Sequence, residues 1–519
     1  MLRTYQATAE YLFIRISILF LHSIPPISIL YSTLVFLVQY FRLSLYLEWV
    51  PYPIQIWLIA EAIFFTAVIV PLRYSLHRSP ISHRPLSAES REKLFRNCFA
   101  NVSNLHKYLR RWLMVSEDEC IKRDNAKEFV RWAFFDPENK QDREDQHDEE
   151  IETYTTEVEK LLGQRFSPGR TDVKGLGQLL HETTGSHRSL LWYTCISVVD
   201  TATHCTMLYN GFHYHRSSLS RFFTVFPFRP LTIPTGYRSP AQHLTYWHRR
   251  HTSKTRLPVL FIHGIGVGLY PYMKLLRDLN KELETGIFDD GEVGIIALEI
   301  MPVSSRLTHP ALEKDIMSRE VLQIMQYHGW DRFVLVSHSY GSIIAGNLLK
   351  SELFAARIGP MIFIDPVTFL LHLPDVAYNF TAREPVRADE YVLWYFGSKD
   401  IGVAHMLARR FSWVDNIIWK EDLGTKCEEN KYKGRNVTVV LSGKDAIVDA
   451  ETVAQYLVGS SSDASPGKQE VRQAWKGRPW VGSSIELLWY EKLGHGQVFN
   501  FENTRRPVIE AISVYSDRG

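Results

Sequence analysis

RFVLVSHSYGSIIAGNLLK, Arg332 to Lys350, runs from an apolar stretch through one serine-centred turn into an apolar-faced helix. Read as ordinary punctuation, the turn only joins a strand to a helix. Read chemically, it presents Ser339. Small residues two before and two after it, Ser337 and Gly341, let a strand reverse into a helix within a few residues. Such a turn lifts the hydroxyl clear of the sheet and leaves it near a helix N-terminus. A serine hydroxyl is a poor nucleophile at neutral pH and needs a base to take its proton. The base in turn must be held in one tautomer, usually by a carboxylate. The rest of the chain is therefore searched for a base and an acid at comparable positions.

Around this stretch lie other short apolar or β-branched runs: 257–262, 294–300, 361–364, 437–441 and 485–490, most of them separated by helical segments. That alternation predicts an α/β fold, a mostly parallel sheet flanked by helices. Ligand sites on such sheets lie beyond the carboxyl ends of the strands. Asp445 follows Leu441 in "VVLSGKDAIVDA", and His495 follows Tyr490 in "LLWYEKLGHGQVF". The chain order Ser339, Asp445, His495 is the one expected of this sheet. Asp365, after the run ending at Ile364, is the alternative acid, and Asp449 is a weaker rival in the loop of Asp445. Oxyanion donors are expected from the backbone N–H of Tyr340 and from Ile265 or its neighbour Gly266, in the turn after "VLFIHGIG". His263 and His338 read as structural hydrogen bonders in their turns, Asp400 and His405 as fold or lid residues. His248 and His251 have no further ligand-like neighbours in sequence, so no metal site is expected.

Through "FIHGIG", "VSHSYGS", "SGKD" and "LGHG", residues 257–505 resemble the α/β-hydrolase superfamily, about half of the chain. With the apolar N-terminus, the whole layout is similar to membrane-associated fungal members of that superfamily. One departure is Ser337, where the superfamily usually has glycine. The resemblance implies a serine hydrolase working through an acyl-enzyme, with no metal or organic cofactor, and a cap over the nucleophile formed by the insertion at about 366–435. That insertion is rich in aromatics (Trp394, Phe396, Phe411, Trp413, Trp419), which beside a membrane anchor suggests an ester of a lipid or other lipophilic substrate. An acyltransferase using the same triad and an inactive hydrolase-fold scaffold are the competing readings.

The apolar N-terminus predicts three regions: a membrane-anchoring hairpin over 1–79, a mainly helical region over 80–250, and the catalytic domain over 251–519. Ile16–Val38 and Pro53–Leu72 are each near the roughly 20 residues a helix needs to cross a bilayer. Arg3 and Arg15 precede the first run and Arg73, Arg78 and Arg84 follow the second, against Arg42 alone between them. The positive-inside tendency then puts both ends, and the catalytic domain, on the cytoplasmic side. The organelle is left open between such membranes as the endoplasmic reticulum and the lipid droplet. A buried helical pair and a hairpin dipping into one leaflet are the alternatives, and Glu61, inside the second run, demands a partner. In the middle region, apolar positions from Leu94 to Trp112 recur at helical spacing, Leu190 to Tyr209 reads as a second helix, 136–152 as an acidic solvated loop, and 221–240 as an irregular strap.

With 519 residues, 45% hydrophobic and 22% charged, the chain is a folded protein of more than one region. A net charge of +2 excludes the strong basic field of a nucleic-acid binder. Five scattered cysteines (98, 120, 195, 205, 427) show neither disulfide framework nor zinc spacing and point to a reducing compartment. Asn101, Asn379 and Asn436 begin glycosylation sequons, a pattern that arises often by chance.

Overall fold

The structure, a computed structural model, describes residues 2–42, 50–77, 86–116, 119–135, 147–172, 174–180, 185–284, 291–424, 434–459, 475–482 and 484–517. The apolar runs of the second half become the strands of a single sheet. They are β1 (His213–His215), β2 (Thr245–Arg249), β3 (Val259–Ile262), β4 (Ile295–Glu299), β5 (Phe333–His338), β6 (Ile358–Ile364), β7 (Val437–Ser442) and β8 (Ile485–Tyr490), in the order β1-β2-β4-β3-β5-β6-β7-β8. From β4 to β8 all neighbours are parallel, whereas β2 runs antiparallel to β4 and β1 antiparallel to β2. Every residue of β3 to β7 is buried, which is why these strands are apolar without alternation. Helices Lys314–Tyr327 and Gly341–Lys350 cover one face with Val321, Ile344 and Leu348. Helices Met273–Glu284 and Glu502–Asp517 cover the other with Leu275, Leu279, Val508 and Ile512.

The boundary expected at 250/251 is corrected by β1 and β2, which belong to the same sheet. "HYH" and "TYWHR" carry rings and charges where the parallel strands carry aliphatics, so their strand character is set by pairing with β4 and not by hydropathy.

Ahead of the sheet, Leu2–Tyr40 is one helix containing Pro25 and Pro26, and Tyr52–Phe64 continues through a π-turn (Phe65–Ile69) into Val70–His77. Thr8–Tyr40 and Tyr52–Leu76 are long and apolar enough to cross a membrane, with mean hydropathies of 1.7 and 2.0 and most of each segment unburied. Glu61 is fully buried, and both its oxygens accept the N–H of Leu190, at 2.8 and 2.9 Å. Leu190 opens the helix Leu190–Tyr209, so the carboxyl caps a helix N-terminus, where negative charge is favoured.

The described residues between 86 and 180 form a helical body with its own core of Leu94, Phe95, Leu109, Trp112, Phe129 and Tyr154. The single helix expected across Leu94–Trp112 is two, Ala88–Ala100 and Leu105–Leu113. The break falls where the Asn104 side chain accepts the N–H of Lys107 and starts the second helix. Of the acidic stretch, 136–146 lie outside the described residues. Its end is not a loop: Asp148–Leu162 is helical, with three acids in its first turn and Ile151, Tyr154 and Val158 buried. The strap folds as short 3₁₀ turns at Leu219–Thr224 and Pro230–Thr232. The insertion between β6 and β7 holds the short helices Pro374–Ala377, Ala388–Val392, Ile401–Arg409 and Trp413–Asn416. Its residues 425–433, Cys427 among them, and Arg78 and Arg84 also lie outside the described residues.

Candidate active site

β5 ends in the turn that carries Ser339. Its backbone is left-handed, with φ 51°, a conformation that costs a non-glycine residue and persists only where neighbours enforce it. Here they do. A Cβ on Gly341 would stand 2.4 Å from the Ile262 carbonyl oxygen, and one on Gly264 would stand 2.8 Å from Cβ of Ser339. Both positions are restricted to glycine by close approach, which packs the β3 turn directly against the nucleophile. Ser337 pairs with Ile262 and Phe363 inside the sheet. It is fully buried with its hydroxyl unpartnered, so the site accommodates a side chain where glycine was the expected residue.

His495 lies in the loop after β8, its Nε2 2.8 Å from Ser339 Oγ and its Nδ1 2.7 Å from Asp445 Oδ2. The other oxygen of Asp445 accepts the N–H of Ile447 at 2.7 Å and of Val448 at 3.0 Å. These donors fix the carboxylate, the carboxylate accepts the hydrogen bond of Nδ1–H, and Nε2 is left to face the serine. The three residues named from sequence thus meet in one unbroken hydrogen-bond chain.

The alternative acid sits beside them without touching the imidazole by a hydrogen bond. Asp365, itself at φ 41°, accepts the Ser442 N–H at 3.0 Å, the Ser442 hydroxyl at 3.1 Å and the Gly496 N–H at 2.8 Å. It ties the end of β7 to the loop of His495. Asp449 and Asp400 are helix caps: Asp449 accepts the N–H of Thr452, and Asp400 those of Gly402 and Val403. His405 is buried on the helix that Asp400 caps.

Charge in the site is set by the two carboxylates. Burial of the imidazole opposes its protonation, but the charge and hydrogen bond of Asp445 and the charge of Asp365 outweigh that and lift His495 to about 9. Burial pushes Asp365 up as well; His495 pulls it back and Asp445 repels it, leaving it at about 6.

Of the expected oxyanion donors, Gly266 is corrected: its N–H is spent on the Val303 carbonyl at 3.0 Å. Among the described residues the N–H groups of Ile265 and Tyr340 make no protein hydrogen bond, and both residues border the cavity beside Ser339. The turn that presents Ile265 is held by His263, which bonds the Gly264 carbonyl through Nδ1 (2.7 Å) and the Ile300 N–H through Nε2 (2.9 Å). Burial lowers His263 to about 4, which suits one nitrogen donating and the other accepting. Tyr272, which no sequence motif marks, accepts the Gly264 N–H at 3.1 Å and reaches His338 Nδ1 at 2.7 Å. Its hydroxyl joins the turn of Gly264 to the turn of Ser339.

Sequence also gave no sign of a second histidine group. His215, His248 and His328 bring ring nitrogens within 4.8 Å of one another, the spacing of a candidate metal cluster. Their geometry serves hydrogen bonding and packing better. The Tyr246 hydroxyl contacts His215 Nδ1 (3.1 Å) and His328 Nε2 (2.8 Å), and the rings of His248 and His328 stack at 3.9 Å. Stacked imidazoles present faces, while a metal needs lone pairs converging in the ring planes.

The sheet and the turn at Ser339 define an α/β-hydrolase fold. No family model and no curated protein matches the chain. Solved structures do. One is a membrane phospholipase A described as a bacterial virulence factor, 12% identical over 63% of this chain and 94% of its own, with a TM-score of 0.38. Naproxen esterase (carboxylesterase NP) of Bacillus subtilis is 12% identical over 61% and 97%, with a TM-score of 0.35. A carboxylesterase of the thaumarchaeon Nitrososphaera gargenis is 12% identical over 53% and 97%, with a TM-score of 0.33. What is read of this site rests on its own residues.

Proposed function

We propose that the chain is a membrane-anchored serine hydrolase that cleaves a carboxylic ester of a lipid or lipophilic substrate. The observation that carries the reading is the hydrogen-bond chain from Ser339 Oγ through His495 to Asp445. In the first half-reaction His495 Nε2 takes the hydroxyl proton as Ser339 Oγ attacks the ester carbonyl carbon. The oxyanion that forms is received by the N–H groups of Ile265 and Tyr340. Collapse breaks the bond to the leaving oxygen, which departs as the alcohol with the proton from Nε2. Water, deprotonated by the same nitrogen, then releases the acid and restores Ser339.

The apolar character of the substrate is supported by the cavity at Ser339, whose single charged lining residue among those described, Asp415, is paired with Lys314. Membrane attachment is supported by the two long apolar helices and by their packing on the insertion, where Arg15 stacks over Tyr391 at 4.5 Å. Positive charge at both ends of the hairpin favours a cytoplasmic catalytic domain.

The test is a screen of neutral lipid esters with the full chain in phospholipid nanodiscs, trapping the acyl-enzyme at short times by mass spectrometry. Acylation of Ser339 followed by release of free acid is the expected result. Transfer of the acyl group to an added alcohol in preference to water would make the chain an acyltransferase. No acylation by any ester would leave the inactive scaffold as the surviving reading. In parallel, the protein should stay with membranes after alkaline carbonate extraction, and its release would contradict the anchor.

A further inference from the structure

The cavity beside Ser339 is walled from an unexpected quarter. It is open at its mouth and lined almost wholly by apolar side chains. One wall is the insertion after β6, with Phe380, Phe411 and Trp413. The opposing wall is the helical body 86–180, with Trp112, Trp132 and Phe134. Sequence placed no function there.

These residues are held for the purpose. The indole N–H of Trp112 donates to the His372 carbonyl at 3.0 Å, across the boundary between helical body and insertion. Trp132 lies flat on Gly177, where a Cβ would stand 2.5 Å from the indole, so glycine makes room for the ring. Phe134 meets Trp413 edge to face at 6.1 Å. Outside the cavity Arg111 clasps the insertion, pairing with Asp375 at 3.3 Å, donating to Asn379 at 3.2 Å and stacking on Tyr378 at 4.5 Å. Helical body and insertion are therefore one closed frame around an aromatic slot that ends at the nucleophile.

We propose that the helical body 86–180 is the acyl-selecting wall of the enzyme, and that the slot takes the long, uncharged hydrocarbon chain of a fatty-acyl ester with its carbonyl at Ser339. Apolar walls stabilise each buried methylene, and among the described residues no cation lines the slot to receive a phosphate or carboxylate. The headgroup then stays at the mouth, and acyl length is read by residues more than 150 positions before the nucleophile. This assignment rests on the ester-hydrolase reading for its kinetics but not for its binding.

Two measurements on the full chain in nanodiscs test it. The first compares kcat/KM for the butyrate and palmitate esters of one alcohol in wild type and Ala133→Trp, a change that fills the slot from the helical side. Wild type is expected to favour palmitate, and the substitution to lower the palmitate-to-butyrate ratio by about tenfold or more. An unchanged ratio would overturn the proposal. The second needs no catalysis: a diazirine-bearing palmitoyl ether is photocrosslinked to Ser339→Ala protein, and the modified peptides are mapped. Adducts within 112–135 together with adducts within 376–414 are expected. Adducts confined to the anchor helices would overturn the proposal even if esterase activity is present. If Ala133→Trp fails to fold, or if wild type hydrolyses no ester, the crosslink map alone decides, so failure of the slot and failure of the triad are told apart.

Discussion

Histidines beyond β8 and around β1 and β2 sit at opposite edges of the same sheet, and their protons behave in opposite ways. Beyond β8, His495 faces two carboxylates and is lifted to about 9. At β1 and β2, burial lowers His215 and His328 to about 4, and burial with the charge of its histidine neighbours lowers His248 to about 2. Burial opposes charge in both groups. What separates them is the carboxylate of Asp445 at 2.7 Å from one ring, against a tyrosine hydroxyl and other imidazoles around the others. The first arrangement makes a base that can hold and return a proton. The second makes a neutral, hydrogen-bonded aromatic cluster that packs an edge of the sheet.

The comparison can be broken most severely at the proposed catalytic chain. Ser339→Ala or His495→Ala is expected to lower ester turnover by on the order of 10⁶-fold, without unfolding the protein. Asp445→Asn keeps the shape but disturbs the tautomer of His495, and a loss approaching ~10⁴-fold in kcat is expected. A mild effect would return the orienting role to Asp365.

The pH dependence sharpens the contrast. In the proposed mechanism the working base is the neutral imidazole, so kcat/KM for an uncharged ester should rise through neutral pH and level only near pH 9. An ordinary histidine would level just above about 6.5. Asp365→Asn removes one of the two facing charges and should move that limb toward lower pH by on the order of one unit. The sign for stability is opposite to that for activity. A folded-state value raised above the unfolded one stabilises the protein fully below about 6.5, and the contribution is lost as the pH rises through about 9. At the other edge, His328→Phe should leave the rate and its pH limb unchanged. It removes the contact to the Tyr246 hydroxyl, and thermal denaturation should show about 1–3 kcal/mol of lost stability. A rate that fell with His328→Phe, or that depended on added zinc, would contradict the packing role. The smallest effect is expected at Ser337→Ala, which deletes an unpartnered buried hydroxyl and should gain up to about 1 kcal/mol.

The parallel strands were legible because burial on both faces writes them as unbroken apolar runs. The meeting of Ser339, Asp445 and His495 was legible because all three stand just after those runs, at one end of the sheet. Where packing and not pattern decides, sequence fell short. β1 and β2 are strands because β4 offers them an edge, and their polar, ring-rich residues hide it. Gly266 stands in the expected oxyanion turn, yet a tertiary hydrogen bond to Val303 takes its N–H. Glu61 looked misplaced in an apolar helix until its distant partner, the first N–H of helix Leu190–Tyr209, came into view. Trp112 reads as an ordinary helix-core residue, because nothing local says that the far side of its helix borders the cavity at Ser339.

The most direct measurement is labelling of the full-length protein in nanodiscs by a fluorophosphonate, with the adduct mapped by peptide mass spectrometry. The account predicts one adduct, on Ser339, formed faster as the pH rises and abolished by His495→Ala. A folded protein that stays unlabelled at every pH, or that carries the adduct on another serine, would contradict it.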